Sequence, residues 1–450
     1  MAVQPWSNLP EALGGPNILS QLDDSFKTDS IFLAFATTDA IKEPQTFAIK
    51  SKGSDVALVV TVCNGKGVIK VGKDAEASFT LVAPGEHWEA FFRQVPINPY
   101  QSFWGMLTRG LPGVKVEGSE ANFNHLSHLW RRVLELIREA HSGHTPTDPD
   151  PSDTEEDYIT GEYKYITAPL WGRNKIFIEK AGSGRQQILF LHTAGSDSRQ
   201  YHGVMNDRRM RDRCSMYAVD LPSHGRSFPI KAYPPGAHTN TEDAYVGFIA
   251  ATVKRLGLKK PIICGASMAG QVCLAIAMRH EEVGAAGTIP LQGCEYISAA
   301  RNSNDRSPYI NQTLWNPEWV YGMASPTAPP SNKALLWHTY SGQAYGIFHG
   351  DLDFYFGGFD GRERLKTINT RKCPVFMLTG EYDWSTTPAM SEATAAKIPG
   401  VGFRIMEGLG HFPATENPQR FIPYLIEAID WIQKKRKEAT DLSLLRMTDD

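Results

Sequence analysis

The sequence predicts an α/β chain in two parts: a parallel sheet with flanking helices and a cap insertion, preceded by a smaller α+β domain. Three observations predict it. From about Tyr158 onward, short apolar runs alternate with helical stretches, which is the pattern of a parallel sheet. Before that point several short strand-like runs precede one long amphipathic helix. Between the two parts, His141 to Asp157 is rich in Ser, Gly, Thr, Pro, Asp and Glu and nearly free of apolar residues, as a linker is. The length of 450 residues suits two or three domains. The expected boundaries are an α+β domain over 1–141, a linker over 142–157, the sheet domain over 158–437 with its cap at about 293–365, and a tail over 438–450.

In the first domain the apolar runs Ile31–Ala36, Phe47–Lys50, Val56–Val62, Gly67–Val71 and Ala77–Val82 read as strands. Asn64-Gly65 and Lys73-Asp74 separate them as turns. A helix is expected over Pro84–Phe92, and another over Asn122–Ala140, where Phe123, Leu126, Leu129, Trp130, Val133, Leu134 and Ile137 recur at helical spacing. Phe79-Thr80-Leu81 before a helix carrying Trp88, the apolar turn Trp104-Gly105-Met106, the Val116–Gly118 stretch and the last amphipathic helix together resemble the sterol-carrier-protein-2-like domain. That resemblance implies an apolar tunnel or surface, for a greasy ligand or for a homodimer formed through this domain. Most of the aromatic rings are nonetheless expected to fill the domain's own core.

In the second part, Tyr163–Ile166 and Asn174–Glu179 suggest an antiparallel hairpin. Gln187–His192, Ser215–Leu221, Ile262–Cys264, Ala286–Leu291, Val375–Thr379 and Gly402–Met406 follow as sheet strands. Helices are expected over Ser198–Arg211, Glu242–Leu256, Ser267–Arg279 and Pro418–Lys434.

The stretch Pro261–Gly270 places Ser267 at the tip of a tight strand-to-helix turn, flanked by Gly265, Ala269 and Gly270. Small neighbours let strand and helix pass closely, the geometry of a nucleophile elbow. A helix N-cap is the simpler alternative for a serine there. Three further segments bear on the choice: Leu189–Gly195, with a His-x-x-Gly turn; Asp220-Leu221-Pro222-Ser223-His224-Gly225-Arg226-Ser227; and the pair Thr379–Asp383 and Gly408–Pro413.

Together, and in the order Ser, Asp, His, these segments over residues 158–437 resemble the α/β-hydrolases. The resemblance implies a triad of Ser267, Asp383 and His411, with Glu381 the nearest competitor for the acid and Asp353 or Asp360 more distant ones. It implies an oxyanion hole built from the backbone amides of Met268 and of Thr193 or Ala194. The chemistry explains the residue types. A serine hydroxyl needs an imidazole to take its proton, and the imidazole needs a carboxylate to hold its tautomer. The family's second elbow glycine is Ala269 here, one methyl larger. A serine rather than an aspartate at the elbow argues against epoxide hydrolysis and dehalogenation.

The expected cap carries many aromatic residues, among them Trp315, Trp319, Trp337, Tyr340, Phe348, Phe354 and Tyr355. These suggest an apolar acyl or aryl pocket, although more than half of the rings should only pack the cap on the body. The expected activity is therefore hydrolysis of an ester, thioester or lactone of an apolar small molecule through an acyl-enzyme. Two alternatives stand beside it: a tailoring or carbon–carbon hydrolase of secondary metabolism, and a catalytically silent lipid or small-molecule binding protein. No cofactor and no metal are expected. The formal net charge of -3 gives no reason to expect a nucleic-acid partner. No apolar run is long enough to span a bilayer, the N-terminus lacks the pattern of a secretory signal, and the C-terminus is no peroxisomal or ER-retention address. Six scattered cysteines fit reduced thiols, and the expected location is cytoplasmic.

Overall fold

The computed structural model describes residues 5–37, 41–151, 156–298 and 303–447. The chain forms two compact units: Met1–Asp148 with Ser307–Thr327, and Pro149–Arg306 with Ala328–Asp450. Residues 307–327, expected within the cap, thus pack in the first unit.

The first unit is built on a five-stranded sheet of β1 (Gln45–Ser51), β2 (Ala57–Cys63), β3 (Lys66–Gly72), β4 (Phe79–Ala83) and β5 (Lys115–Gly118), in the order β3-β2-β1-β4-β5. Strands β1 and β4 are parallel and the other pairs antiparallel. Asn64 and Gly65, with φ of 47° and 76°, make the β2–β3 turn. Positive φ at both central residues is the mirror-image turn whose twist matches the strands, and Asn-Gly is its preferred pair.

Ile31–Ala36 is not the expected strand but part of the helix Ser30–Ala36. Periodicity cannot separate a short buried strand from a short helix. The decision lies with Asp29, whose Oδ1 accepts from the Phe32 amide at 2.6 Å as an N-cap and whose carboxylate also meets Arg132 at 2.6 Å. The expected helix over Asn122–Ala140 is divided at Leu126 into Glu120–His125 and Ser127–Ser142.

The rings of this unit stack on one another. Trp88 lies against Phe92 and Phe103 at centroid distances of 5.4 and 5.7 Å, and Phe123 against Trp130 at 4.9 Å. Trp315 joins them: it meets Trp104 edge-on at 6.3 Å and donates from Nε1 to Asn124 Oδ1 at 2.7 Å. Trp315 is therefore a core residue of the first unit. Beside it the fully buried Glu318 carboxylate pairs with Arg131, which also stacks over Tyr321 at 4.4 Å.

The second unit is an eight-stranded sheet in the order β13-β12-β11-β10-β8-β9-β7-β6. Its strands are β6 (Thr160–Ala168), β7 (Gly172–Ala181), β8 (Gln186–Leu191), β9 (Cys214–Val219), β10 (Ile262–Ala266), β11 (Gly287–Leu291), β12 (Phe376–Gly380) and β13 (Gly402–Met406). The hairpin β6–β7 is antiparallel and joins the sheet antiparallel to β9, while β8 to β13 run parallel. Strands β8, β10, β11 and β12 are buried almost throughout, as parallel strands covered on both faces must be. Ile188, Phe190, Ile262, Cys264, Ile289 and Leu378 share a core with Phe421, Leu425 and Ile429 of the last helix. That helix runs from Pro418 to Met447.

The helix expected over Ser198–Arg211 is three short turns, Ser198–Tyr201, His202–Asn206 and Arg208–Arg213. Asp207 interrupts it by accepting from the Arg209 amide at 2.9 Å, the local bond that makes Asp a helix starter rather than an interior residue. Among the described residues no helix is long and apolar enough to cross a membrane.

The order of strands locates the site. Strand β8 lies between β9 and β10, so the chain leaves it in one direction and later resumes on its other side. Loops diverge at such a switch point and open a crevice at the carboxyl ends of the strands.

Candidate active site

Ser267 stands at that switch point, directly after β10. Its φ of 60° and ψ of -119° lie outside the regions ordinary residues favour. The amide of Ser267 donates to Leu291 O at 2.9 Å, and its carbonyl accepts the first helical bond from Gln271 at 3.1 Å. It holds the N-cap position of the helix Met268–Met278, yet its side chain makes no capping hydrogen bond. A serine selected as a cap would have extended backbone and a bonded hydroxyl.

Crowding explains the small residues around it. A Cβ on Gly265 would stand 2.6 Å from the Ala269 methyl and 3.1 Å from Leu191 Cβ. The methyl that departs from the family pattern therefore fits into space left by Gly265. A Cβ on Gly270 would collide with the Leu291 carbonyl.

Asp383 lies three residues past β12 and is fully buried. Its Oδ1 accepts from the amides of Ser385 and Thr386 at 2.8 and 2.9 Å, which leaves Oδ2 for His411 Nδ1 at 2.6 Å. His411, on the loop after β13, is 3% exposed. That loop is fixed from several sides. Gly410 donates its amide to the buried Glu416, and its carbonyl accepts from Gln292 Nε2 at 3.3 Å. Tyr355 rests edge-on to the His411 ring at 6.4 Å and bonds Ser385 and Thr386 through its hydroxyl at 3.0 and 2.8 Å. The competing acids lie elsewhere: Glu381 is exposed and accepts from the Gly408 amide, and Asp360 pairs with Arg362 at the surface.

The turn after β8 carries the other expected donors. The Thr193 amide is bonded to Gln200 Oε1 at 2.9 Å, the Gly195 amide to Asp351 Oδ2 at 2.8 Å, and the Ser196 amide to Thr193 O at 3.2 Å. Thr193 Oγ1 also meets the Tyr340 hydroxyl at 2.6 Å. His192, just before this turn, has its tautomer set by its neighbours. Nε2 accepts from the Leu221 amide at 3.0 Å, and Nδ1 donates to the Thr193 carbonyl at 2.8 Å. Burial, aided by the nearby His224, lowers its pKa to about 4, so the ring is neutral.

Next to this turn is a cluster that motif reasoning did not assign. Asp351, fully buried, receives His224 Nε2 on Oδ2 at 2.8 Å and His238 Nε2 on Oδ1 at 2.9 Å. Asn240 Nδ2 adds a bond to Oδ1 at 3.3 Å. His224 sits in the Asp220–Ser227 segment, and that spacing was the only signal pointing to the cluster. Asp351 itself comes from the insertion, where nothing local marks it. The ligating atoms of His224, His238 and Asp351 lie within 4.8 Å of one another, as those of a metal site would. Each carboxylate oxygen already accepts two hydrogen bonds, however, while His238 Nδ1 and Asn240 Oδ1 are buried without a partner. Around the site Phe348 and Phe412 flank Tyr340 at 5.7 and 5.6 Å, supplying apolar surface.

Comparison with known proteins agrees with this architecture. A curated relative, a candidate esterase/lipase of Mycoplasma pneumoniae, is 22% identical over 289 residues, covering 58% of this chain and 95% of that protein. Among solved structures, an aryl esterase candidate from Burkholderia cenocepacia superposes with a TM-score of 0.51 at 16% identity, over 61% of this chain and 100% of that one. A thermophilic esterase from Thermogutta terrifontis gives a TM-score of 0.48 at 21% identity, over 61% and 99%. The model of the alpha/beta hydrolase family matches residues 188–423, from β8 into the last helix, and the chain belongs to that family.

Proposed function

We propose that the chain is a serine hydrolase that cleaves an ester, thioester or lactone of an apolar small molecule through an acyl-enzyme. The observation that carries the reading is the 2.6 Å contact between His411 Nδ1 and Asp383 Oδ2, with Ser267 held in a strained turn at the switch point of the same sheet. In this reading Nδ1–H donates to Asp383, so Nε2 is the free base that takes the Ser267 proton as Oγ attacks the acyl carbon. His411 then gives that proton to the leaving group. Water, deprotonated by the same nitrogen, releases the acid.

The negative oxygen of the tetrahedral intermediate needs amide donors not already committed. Met268 opens its helix, where amides have no intrahelical acceptor. On the other side of the crevice the amides of Thr193 and Gly195 are both engaged, which favours Ala194 between them as the second donor. The esterase names of the relatives point toward carboxylic esters, and Tyr340, Phe348, Tyr355 and Phe412 favour an apolar acyl or alcohol group. The test is a panel of aryl esters, acyl-CoA thioesters and lactones with purified protein and its Ser267→Ala variant. Loss of turnover and of fluorophosphonate labelling in the variant is expected. Unchanged turnover would refute the reading.

A further inference from the structure

We infer that Asp351 is a positioning residue for the oxyanion turn, reaching from the insertion into the body of the hydrolase. This inference rests on the serine-hydrolase reading above. Asp351 lies on the helix Ile347–Asp353, far in sequence from the turn it holds. Its Oδ2 accepts the Gly195 amide at 2.8 Å, one residue beyond the Ala194 amide assigned to the oxyanion hole. Gly195 adopts a φ of 62°, which glycine reaches without steric cost, so its conformation is one of several open to it and the bond to Asp351 selects it. The same oxygen receives His224 Nε2 from the turn after β9, and Oδ1 receives His238 and Asn240 from the segment before the helix Glu242–Leu256. One carboxylate thus ties three loops of the crevice to each other.

The charge state follows from the partners. His224 Nδ1 faces the Pro222 carbonyl at 3.0 Å, and a carbonyl only accepts, so Nδ1 carries a proton. Nε2 faces the carboxylate and carries the other. His224 is therefore an imidazolium, and Asp351 is its buried counter-ion. Burial opposes both charges, but the pairing prevails, raising the pKa of His224 and driving that of Asp351 far down. A charge-assisted acceptor holds an amide more firmly than a neutral one does. An oxyanion donor loses its value when displaced by a fraction of an ångström, so a fixed Gly195 amide keeps the adjacent donor aimed.

The experiment compares wild type with Asp351→Asn and His224→Gln, each normalised to the sites that react with a fluorophosphonate. Asp351→Asn keeps the volume but offers one acceptor oxygen where two are used. Per labelled site, kcat should fall about 10- to 100-fold with KM within about 3-fold, in the range of a lost oxyanion contact. Inhibition by a substrate-like trifluoromethyl ketone, whose tetrahedral adduct needs the hole, should weaken in parallel. A merely structural role would reduce the number of labelled sites and leave these two quantities alone. His224→Gln retains an N–H toward Oδ2 without the charge and should shift both in the same direction, so the test survives if Asp351→Asn fails to fold. Unchanged kcat per labelled site, or a fall in kcat with unchanged ketone affinity, would overturn the role of Asp351. So would stoichiometric zinc retained by wild type and lost in Asp351→Asn, since the carboxylate would then be a ligand. A wild type that takes no label at Ser267 would instead overturn the serine-hydrolase reading itself.

Discussion

His411 Nδ1 lies 2.6 Å from Asp383 Oδ2, and the other oxygen of that carboxylate is held by two backbone amides. The orientation of the imidazole is therefore decided by a carboxylate that cannot turn away. Asp383→Asn would keep the shape but present an amide that can donate to Nδ1, stabilising the wrong tautomer. Turnover of an aryl ester should fall on the order of 10⁴-fold. Thermal unfolding should change little, and comparing kcat with Tm in the same preparation checks both.

Ser267 opposes stability to activity. Its positive φ costs on the order of 1–3 kcal/mol in a side-chain-bearing residue. Ser267→Gly removes that strain at the expense of a more flexible unfolded chain, so a net gain of about 1 kcal/mol is expected. Calorimetry should find a raised Tm alongside complete loss of fluorophosphonate labelling.

The elbow glycines are sterically required to different degrees. Gly270→Ala would drive a methyl into the Leu291 carbonyl, a backbone atom that cannot move without disturbing β11. A loss of about 2–3 kcal/mol or more is expected, as for overpacking in a close-packed core. Ala269→Gly removes a methyl from a site the backbone already fits and should retain activity. Denaturant midpoints of the two variants provide the comparison.

Glu318 and Arg131 form a buried pair inside the first unit. Burial lowers the pKa of Arg131, but Glu135 and Glu318 raise it well above the usual value. Removing Glu318 leaves Arg131 its second partner, Glu135 at 2.8 Å, so a loss below the roughly 3–5 kcal/mol of a fully stranded buried charge is expected. Glu318→Ala should therefore loosen the helix Gln312–Tyr321, seen as faster amide exchange there.

Glu179 supplies an acid dependence. Burial would raise its pKa, but His202 at 2.9 Å and Arg226 at 2.8 Å outweigh it and hold the carboxyl at about 2. The folded state then binds fewer protons than the unfolded one, whose carboxyl titrates near pH 4.3. The stabilisation is fully present above that value and disappears as pH falls toward 2. Glu179→Gln should lower stability by about 1–2 kcal/mol at pH 7. It should also flatten the acid limb between about pH 4.5 and 2, measured by urea unfolding across that range.

Much of the fold was legible in the sequence because its signals are local. Buried parallel strands read as continuous apolar runs, and Asn64-Gly65 names its own turn. Ile31–Ala36 was misread because six apolar residues fit either a strand or a helix, and the deciding Asp29 acts through both a cap and Arg132 in a distant helix. Trp315 looked like part of an apolar pocket because composition records rings and not what they touch. It packs instead with Trp104 and Asn124.

By itself the sequence determined where most of the sheet strands lie along the chain, the tight turn at Ser267 and the residue types of a hydrolytic site, since each depends on neighbours a few positions away. Only the tertiary structure decided which acid meets His411, which amides of the β8 turn are already engaged, and that Asp351 holds Gly195. Those choices depend on groups between 7 and 156 positions apart being brought within 3 Å, a matter of how the sheet and its insertion close together.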